Sequence, residues 1–191
     1  MTKVILDIQI SLDGYIAGIN DSAENPAGEG GEALFNWMYP ASGEVSAENK
    51  KVMDELIKRT GAVIAGRRTY QMVDGWAGEP LVAPYVILCD EEPAEKLGDE
   101  PEKFTFVHSV EDAVARAKEI AGDKDVHLLG GAQTAQSVLQ VGLVDEIQLH
   151  ISPVLLGDGV RLFSRIPMAK LRKTRVIDTP EVTHVQYEIV K

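Results

Sequence analysis

The sequence predicts one α/β domain built on a mixed, mostly parallel β-sheet with helices on its faces. Short apolar runs alternate with segments of helical period, a pattern typical of parallel strands joined by helices. Residues 171–191 lack a helical period and alternate at Val185, Tyr187 and Ile189, which predicts a closing antiparallel strand pair. A chain of 191 residues with 45% hydrophobic residues is long enough for one substantial core, so we expect a single domain over residues 1–191.

The beginning of the chain predicts a strand followed by a long loop. An apolar run at 4–10 indicates the first strand, the Asp13-Gly14 pair indicates a turn or bulge, and the strand pattern resumes at 15–17. Residues 20–32 are acidic, rich in glycine and without an apolar period. They therefore predict a loop over the edge of the sheet, long enough to act as a lid.

The rest of the chain alternates between predicted helices and strands. Ser46 is expected to cap a helix that runs through Arg59, and Ser109 is expected to cap a helix that Gly122 ends. Shorter helices are expected at 67–73 and 132–141, and strands at 62–65, 85–89, 104–108, 126–129 and 147–151. Acidic residues dominate 90–103, which predicts a solvated linker.

Composition limits the partners and the location that we expect. The chain has 19 Lys and Arg against 30 Asp and Glu, a formal net charge of −11, whereas binding to nucleic-acid phosphates needs a surplus of cations. Its apolar runs are far shorter than the ~20 residues of a membrane-spanning helix, and the first residues lack the pattern of a secretion signal. The single cysteine, Cys89, cannot form an internal disulfide. We therefore expect a cytoplasmic protein that binds neither nucleic acid nor membrane.

Histidine placement argues against a metal site. The four histidines stand singly on predicted strands, without the spacing of metal ligands, and no Cys/His cluster has zinc spacing. Isolated histidines on strands are usually structural or exposed. We expect that role for His108, His127, His150 and His184, and no bound metal.

Two predicted strand ends carry glycine directly in front of a helix. One is Gly66, followed by Arg67 and Arg68, and the other is the pair Gly130-Gly131. Ligands of open α/β sheets bind at the carboxyl ends of strands, where free N–H groups and the helix dipole attract anions. Glycine allows close approach of a phosphate and arginine adds charge-assisted hydrogen bonds, although either glycine alone is as consistent with an ordinary turn. Together they predict two halves of a dinucleotide phosphate site that matches neither GxGxxG nor a Walker loop.

Four segments carry a family resemblance over the whole chain and in order. They are SLDGYIAG (11–18), AVIAGRRTY (62–70), VHLLGGAQTAQSVLQ (126–140) and LVDEIQLHISPVLLGDGVRLF (143–163), of which the last is the most specific. They resemble the dihydrofolate-reductase-like superfamily, above all the branch shared with the C-terminal reductase domain of the bacterial riboflavin biosynthesis protein. The resemblance implies a three-layer α/β fold with a mixed, mostly parallel sheet of about eight strands.

The resemblance also implies an activity. It implies an oxidoreductase that transfers hydride from NADPH to a small heterocycle. That heterocycle would be a pyrimidine of riboflavin biosynthesis, of the 5-amino-6-(5-phosphoribosylamino)uracil type, or a pterin. A nucleotide-binding dimer without turnover and a true dihydrofolate reductase remain as alternatives, and the preference between NADP and NAD stays open.

Matching the motifs residue by residue implies a cofactor site. Residues of the glycine-bearing strand ends resemble those that grip the cofactor phosphates and the adenosine ribose, and the glycine pair resembles one joined by a cis peptide in the family. The second strand segment resembles the edge that meets the nicotinamide carboxamide. The implied cofactor-binding residues are Ile16, Ala17, Gly66, Arg67, Arg68, Thr69, Leu88, Gly130, Gly131, Ala132, Gln133 and Thr134.

Candidates for catalysis and substrate binding lie near the predicted lid. Glu32 stands at roughly the place of the proton-donating acid of dihydrofolate reductases. Asp13 could also contact substrate or position a proton, although an aspartate before glycine more often bonds the backbone of its own turn. Phe35 and Trp37 follow the lid and are expected to contact a flat heterocycle. Between the two tryptophans we favour Trp37 for the ligand and assign Trp76 to the core.

A homodimer is the expected assembly. The apolar segment 147–156 predicts a strand suited to association, and two-fold assemblies are common among proteins of this kind. The family resemblance implies the same. The expected partners are therefore a small heterocyclic substrate and a second copy of the chain.

Overall fold

A computed structural model describes residues 2–78, 84–93 and 103–191. The strands are β1 (Val4–Ser11), β2 (Tyr15–Ala17), β3 (Thr60–Gly66), β4 (Tyr85–Leu88), β5 (Phe104–Val107), β6 (Asp125–Gly130), β7 (Glu146–Ser152), β8 (Val160–Arg161), β9 (Lys170–Asp178) and β10 (Thr183–Val190). The α-helices are α1 (Ala47–Arg59), α2 (Arg67–Met72), α3 (Val110–Ala121) and α4 (Ala132–Gln140), and 3-10 helices span Gly31–Phe35 and Asp74–Gly78. The predicted linker lies mostly outside the described residues, at 94–102.

The described strands confirm the predicted fold class. The main sheet has the order β5-β4-β3-β6-β1-β7-β10-β9, and its pairs from β5 to β7 are parallel. β10 pairs antiparallel with both β7 and β9, as the alternation near the end of the chain predicts. β2 and β8 form a separate antiparallel pair. The result is an α/β fold with a mixed, mostly parallel sheet.

Local side-chain chemistry sets the helix ends. Ser46 accepts a hydrogen bond from the Asn49 N–H, and Ser109 accepts one from the Asp112 N–H, so both predicted caps are present. Gly122 ends α3 with φ +58, a conformation that glycine adopts without steric cost. Loss of a serine N-cap such as Ser46 or Ser109 typically lowers stability by about 1 kcal/mol.

Helices cover the sheet on both faces. The helices α3 and α4 pack on one face, over a core that includes Ile8, Ile64 and Leu128. On the other face, Tyr70 of α2 packs against β3 and β4, and α1 lies over β7 and β10. Each fully buried aliphatic side chain contributes roughly 1.5–3 kcal/mol. The gap between α1 and α2 on this second face leaves part of the sheet open.

The strand expected to mediate association lies inside the sheet. β7 is hydrogen-bonded to β1 on one side and to β10 on the other, so it offers no free edge. The edge strand on this side is β9, whose exposed side chains include Lys170, Arg172 and Lys173. Charged edges of this kind discourage strand addition. Association through a free edge of β7 is therefore excluded, whereas residues 153–156 lie beyond this strand and Leu155 is exposed. The dimer itself stays a prediction. Along the described residues, no helix is long and apolar enough to cross a membrane.

Candidate functional site

The glycine-bearing ends of β3 and β6 lie side by side, and we call the place where Gly66, Gly130 and Gly131 come together the seam. Ala65 and Gly130 are register partners on β3 and β6, and the Thr69 hydroxyl accepts a 2.9 Å hydrogen bond from the Gly131 N–H. A Cβ atom added to Gly66 would lie 2.3 Å from the Thr134 hydroxyl, so only glycine fits between α2 and α4 there. The Gly130-Gly131 peptide bond is cis, as the resemblance implies.

A cleft of about 1310 Å³ opens above this seam. Most of the predicted site residues line it: Ile16, Ala17, Glu32, Phe35, Gly66, Arg67, Arg68, Thr69, Leu88, Gly131, Ala132, Gln133 and Thr134. Gly130 is absent from the lining and is buried directly behind it. Asp13 and Trp37 lie elsewhere.

The first turn of α4 forms a favourable site for an anion. Its N-cap, Gly131, provides no side-chain cap, and the turn contains no acidic residue. The first N–H groups of a helix have no partner within the helix, and its dipole places partial positive charge there. Gly131 N–H is held by Thr69, and the following turn faces the cleft. These residues fit a diphosphate group, because backbone donors stand where no side chain blocks access.

Cations flank this site at the ends of β3 and β4. Burial raises the pKa of the Cys89 thiol, and the nearby positive charge of Arg67 opposes that rise. Gly66 and Leu88 are register partners on β3 and β4, so Arg67, the residue after Gly66, lies close to the end of β4. Arg68 is paired with Asp21 of the predicted lid at 2.9 Å. Asp90, directly after Cys89, places one acidic side chain in the lining at the same edge.

The predicted lid is an ordered loop that contacts the cleft. Backbone hydrogen bonds join Gly18 to Ala27 at 2.8 Å and Glu29 to Ile19 at 2.9 Å, so the loop folds back on itself. Asp21 ties it to α2 through the Arg68 ion pair. The loop leads into the 3-10 helix Gly31–Phe35, which carries Glu32 and Phe35 on the side that lines the cleft.

Asp13 links the turn after β1 to the loop after β7. Its carboxylate accepts hydrogen bonds from the Ser11 hydroxyl at 2.6 Å and from the backbone N–H groups of Leu156 and Gly157 at 3.1 and 2.7 Å. The Ser11 hydrogen bond is the main reason that its pKa falls to about 2, and the backbone hydrogen bonds lower it further. An acid with this pKa is ionised at neutral pH. The structure gives no support to the expected catalytic role, because the carboxylate lies outside the cleft and bonds the backbone of the loop at 156–157. The alternative, in which Asp13 bonds the backbone of its own turn, is met only in part, since these two N–H groups belong to a distant segment.

Trp37 belongs to the core. Its ring is 2% exposed and packs against His150 and His184, with ring centroids 4.7 and 4.8 Å away. Leu34 and Trp37, three residues apart, both face the sheet, whereas Glu32 and Phe35 face the cleft. Trp76 is the tryptophan that lines the cleft, so the assignment of the two rings is reversed.

A buried chain of hydrogen bonds, absent from the expectations, lies beneath Trp37. His150 Nε2 bonds the Asp7 carboxylate at 3.0 Å, His150 Nδ1 bonds His184 Nδ1, and His184 Nε2 donates to the Asn49 side-chain oxygen at 3.0 Å. Because His184 donates through Nε2, its Nδ1 accepts from His150. The expectation of isolated histidines is therefore wrong for this pair. No sequence signal finds it, because the pairing depends on the register of β7 and β10.

Burial and neighbouring charges shift the pKa values of His184 and Asp7 in this hydrogen-bonded network. Burial is the main reason that the pKa of His184 falls to about 4, and the positive charge of His150 contributes to this decrease. Burial disfavours ionised Asp7, but the charge and hydrogen bond of His150 more than compensate and lower its pKa. The chain joins β1, β7, β10 and α1. Among the described residues, no cluster of His, Cys, Asp or Glu has the arrangement of a metal site.

The sheet order, the paired glycines and the cleft at the strand ends define a dihydrofolate-reductase-like fold. A family model described as the RibD C-terminal domain matches residues 2–185. The chain belongs to this family.

Known proteins show the same fold. A putative riboflavin biosynthesis protein from Shewanella sp. PV-4 is 23% identical with a TM-score of 0.76, and the alignment covers 100% of both chains. Dihydrofolate reductase from Enterococcus faecalis, complexed with NADP(H), is 15% identical with a TM-score of 0.64 and coverage of 99% and 97%. In sequence, the chain is also similar to the uncharacterized protein YyaP of Bacillus subtilis, with 26% identity over 179 aligned residues. That match covers 84% of this chain and 80% of YyaP.

Proposed function

We propose that the protein is an NADPH-dependent reductase that transfers hydride to a small planar heterocycle, of the pyrimidine or pterin type. The observation that carries the proposal is the cleft itself, which joins an anion-binding seam to an apolar groove. Membership of the RibD C-terminal domain family supports a reductase, and the similar dihydrofolate reductase from Enterococcus faecalis is complexed with NADP(H).

The residues of the seam would hold the cofactor. Backbone N–H groups of the first turn of α4 would bind the diphosphate, with Thr69 and Gly131 fixing the approach. Arg67, beside the end of β4, would pair with a phosphate on the adenosine ribose, which favours NADPH over NADH. The backbone at Ile16 and Ala17 would meet the carboxamide. When bound, NADPH supplies a hydride, so the acceptor gains one hydride and one proton and NADP⁺ is released.

The protein's own contribution would be alignment, exclusion of water and delivery of the proton. The loop tied down by Asp21 lines the cleft and would limit the entry of water. Glu32 is the acidic side chain of the 3-10 helix that faces the cleft, and we assign it as the proton donor, directly or through one water. Asp13 has no part in this step.

The test is NADPH consumption by the purified protein with a panel of pterins, pyrimidinones and flavins. We expect turnover with at least one of them, and we expect Glu32→Gln to lose turnover while NADPH still binds. The matched control is Glu29→Gln, a change to an exposed lid carboxylate outside the lining. NADPH that binds without turnover on any acceptor would instead favour a nucleotide-binding protein without catalysis.

A further inference from the structure

The cleft extends from the seam onto the open face of the sheet. Side chains of neighbouring residues on a strand point to opposite faces. Ile8 and Leu128 lie in the core beneath α3 and α4, so Gln9 and Leu129 point to the opposite face, where both line the cleft. We call this part of the cleft, over the open face of the sheet, the second arm. Its floor consists of the Gln9 amide and the Leu129 side chain.

Apolar and aromatic side chains form the two walls of the second arm. One wall comes from the segment after the lid and contains Phe35 and Tyr39. The other comes from the end of α2 and the 3-10 helix that follows it, and contains Met72, Val73 and Trp76. The arm has the shape and chemistry to hold a flat ring.

The Trp76 ring is held in place by its neighbours. It lies 4.4 Å from the Tyr85 ring and 6.4 Å, nearly parallel, from the Phe104 ring, measured between centroids. A ring supported in this way provides a rigid surface for stacking, since few rotamers remain for a ligand to restrict.

Two of the arginines that line the cleft stand at the start of α2, and Arg68 lies one turn before Met72. Arg67 lies beside Cys89 at the end of β4, and Arg68 is paired with Asp21. Neither lies among the side chains that form the two walls.

The remaining two arginines lie on the side of α4. Arg161 bonds the Tyr15 hydroxyl at 2.8 Å and covers the Tyr15 ring, and its backbone carbonyl accepts a hydrogen bond from Gln136. The Arg165 carbonyl accepts one from Gln140, also on α4. Within the described residues, the second arm is thus walled without a lysine or arginine.

The charge balance of the second arm disfavours a phosphate. Glu32 is the charged side chain next to Phe35, and the whole chain carries a net charge of −11. A phosphate taken into an apolar slot beside a carboxylate, without a cation, would lose its hydration and gain no ion pair. Among the described residues, the Gln9 amide has one long contact, with the Met38 sulfur at 3.8 Å, so it is available to bond a ring C=O and N–H.

We propose that the acceptor is an unphosphorylated, uncharged planar ring with a lactam edge and an apolar substituent. This inference rests on the proposed function and narrows it. The lactam edge lies against Gln9, the ring stacks at Trp76 or Phe35, and the apolar substituent packs on Met72 and Val73. The phosphorylated pyrimidine is thereby the less favoured of the two candidate acceptors.

The test compares binding and turnover for a matched set of compounds. The probes are 5-amino-6-(5-phosphoribosylamino)uracil, its dephosphorylated form, and 6-methyl-7,8-dihydropterin, each titrated calorimetrically into protein saturated with NADP⁺. We expect the dihydropterin to bind at least tenfold more tightly than the phosphorylated compound, and removal of the phosphate to improve binding. Tighter binding of the phosphorylated compound, or no binding of any probe, overturns the inference. Failure of the reductase proposal has a different signature, in which the dihydropterin binds in the expected order but NADPH is not consumed.

A charge inserted into the arm gives an independent readout. Met72→Arg should raise affinity for the phosphorylated uracil at least tenfold and weaken binding of the dihydropterin. Met168→Arg is the matched control, since Met168 is 86% exposed and outside the cleft, and it should change neither affinity. NADP⁺ affinity serves as the check on folding in both variants. An unchanged preference in a Met72→Arg protein that still binds NADP⁺ would contradict the proposed placement of the ring.

Discussion

The buried histidine pair makes the stability of the fold depend on pH in a defined window. The pKa of His184 is about 4 in the folded protein, against an ordinary value of 6.5, so the unfolded chain binds the proton more readily. The contribution of neutral His184 to stability is therefore complete above pH 6.5 and is lost as the pH drops towards 4. The difference corresponds to about 3 kcal/mol, a large share of the ~5–15 kcal/mol that stabilises a typical domain.

The groups that face His184 define this window. Burial is the main cause of the low pKa. The charges of His150 and Arg175 lower it further, and Asp7 partly opposes them. Asp7 also has a lowered pKa, so its own contribution is lost only as the pH falls below the ordinary aspartate value of 3.8. Measurements above pH 4 therefore report His184 with Asp7 still ionised.

The assay is urea unfolding at steps of pH between 4 and 7 for the native protein and for His184→Gln. Uptake of one proton on unfolding gives a slope of up to about 1.4 kcal/mol per pH unit. We expect His184→Gln to lose this part of the slope, although its stability at neutral pH also falls because His150 loses its partner. His108→Gln, a change at an exposed histidine, should retain the slope. Equal slopes for the native protein and His184→Gln would refute the burial argument.

Three further outcomes are expected. Arg67→Ala should weaken NADPH binding about tenfold or more, and Arg68→Ala less, because Arg68 must first leave its ion pair; calorimetric titration measures both. Gly131→Ala, whose Cβ would stand 3.3 Å from the Thr69 hydroxyl, should lose most NADPH affinity. Gly43→Ala, which has open space around it but a φ of +76, should cost some stability and keep the NADPH affinity. Light scattering should report a homodimer at tens of micromolar, roughly the range where mass action favours association, and a monomer there would contradict that expectation.

Short-range sequence signals predict the helices, the strands and most of the residues of the cofactor site. Ser46 and Ser109 cap their helices, and glycines end two strands, because these effects depend on residues close in sequence. Most of the cofactor-site residues also line one cleft, since the carboxyl ends of parallel strands meet at one edge of the sheet.

Features that depend on strand register, or on the direction in which a side chain points, could not be predicted from the sequence. His150 and His184 become neighbours only through antiparallel pairing across 34 residues of sequence. Trp37 lies in the core and Trp76 lines the cleft, and amino-acid composition does not indicate which of the two tryptophans faces the ligand. Gly28 looks like a tolerant loop glycine in the sequence, yet it has φ +70, and an added Cβ would lie 2.5 Å from a backbone oxygen.

The most direct test of the cofactor site is a crystal structure of the protein with NADP⁺. The diphosphate is expected within hydrogen-bonding distance of the N–H groups at the start of α4, with the nicotinamide beside Ile16 and Ala17 and the second arm left open for an acceptor. NADP⁺ bound in the second arm, or outside the cleft, would contradict the assignment of both sites.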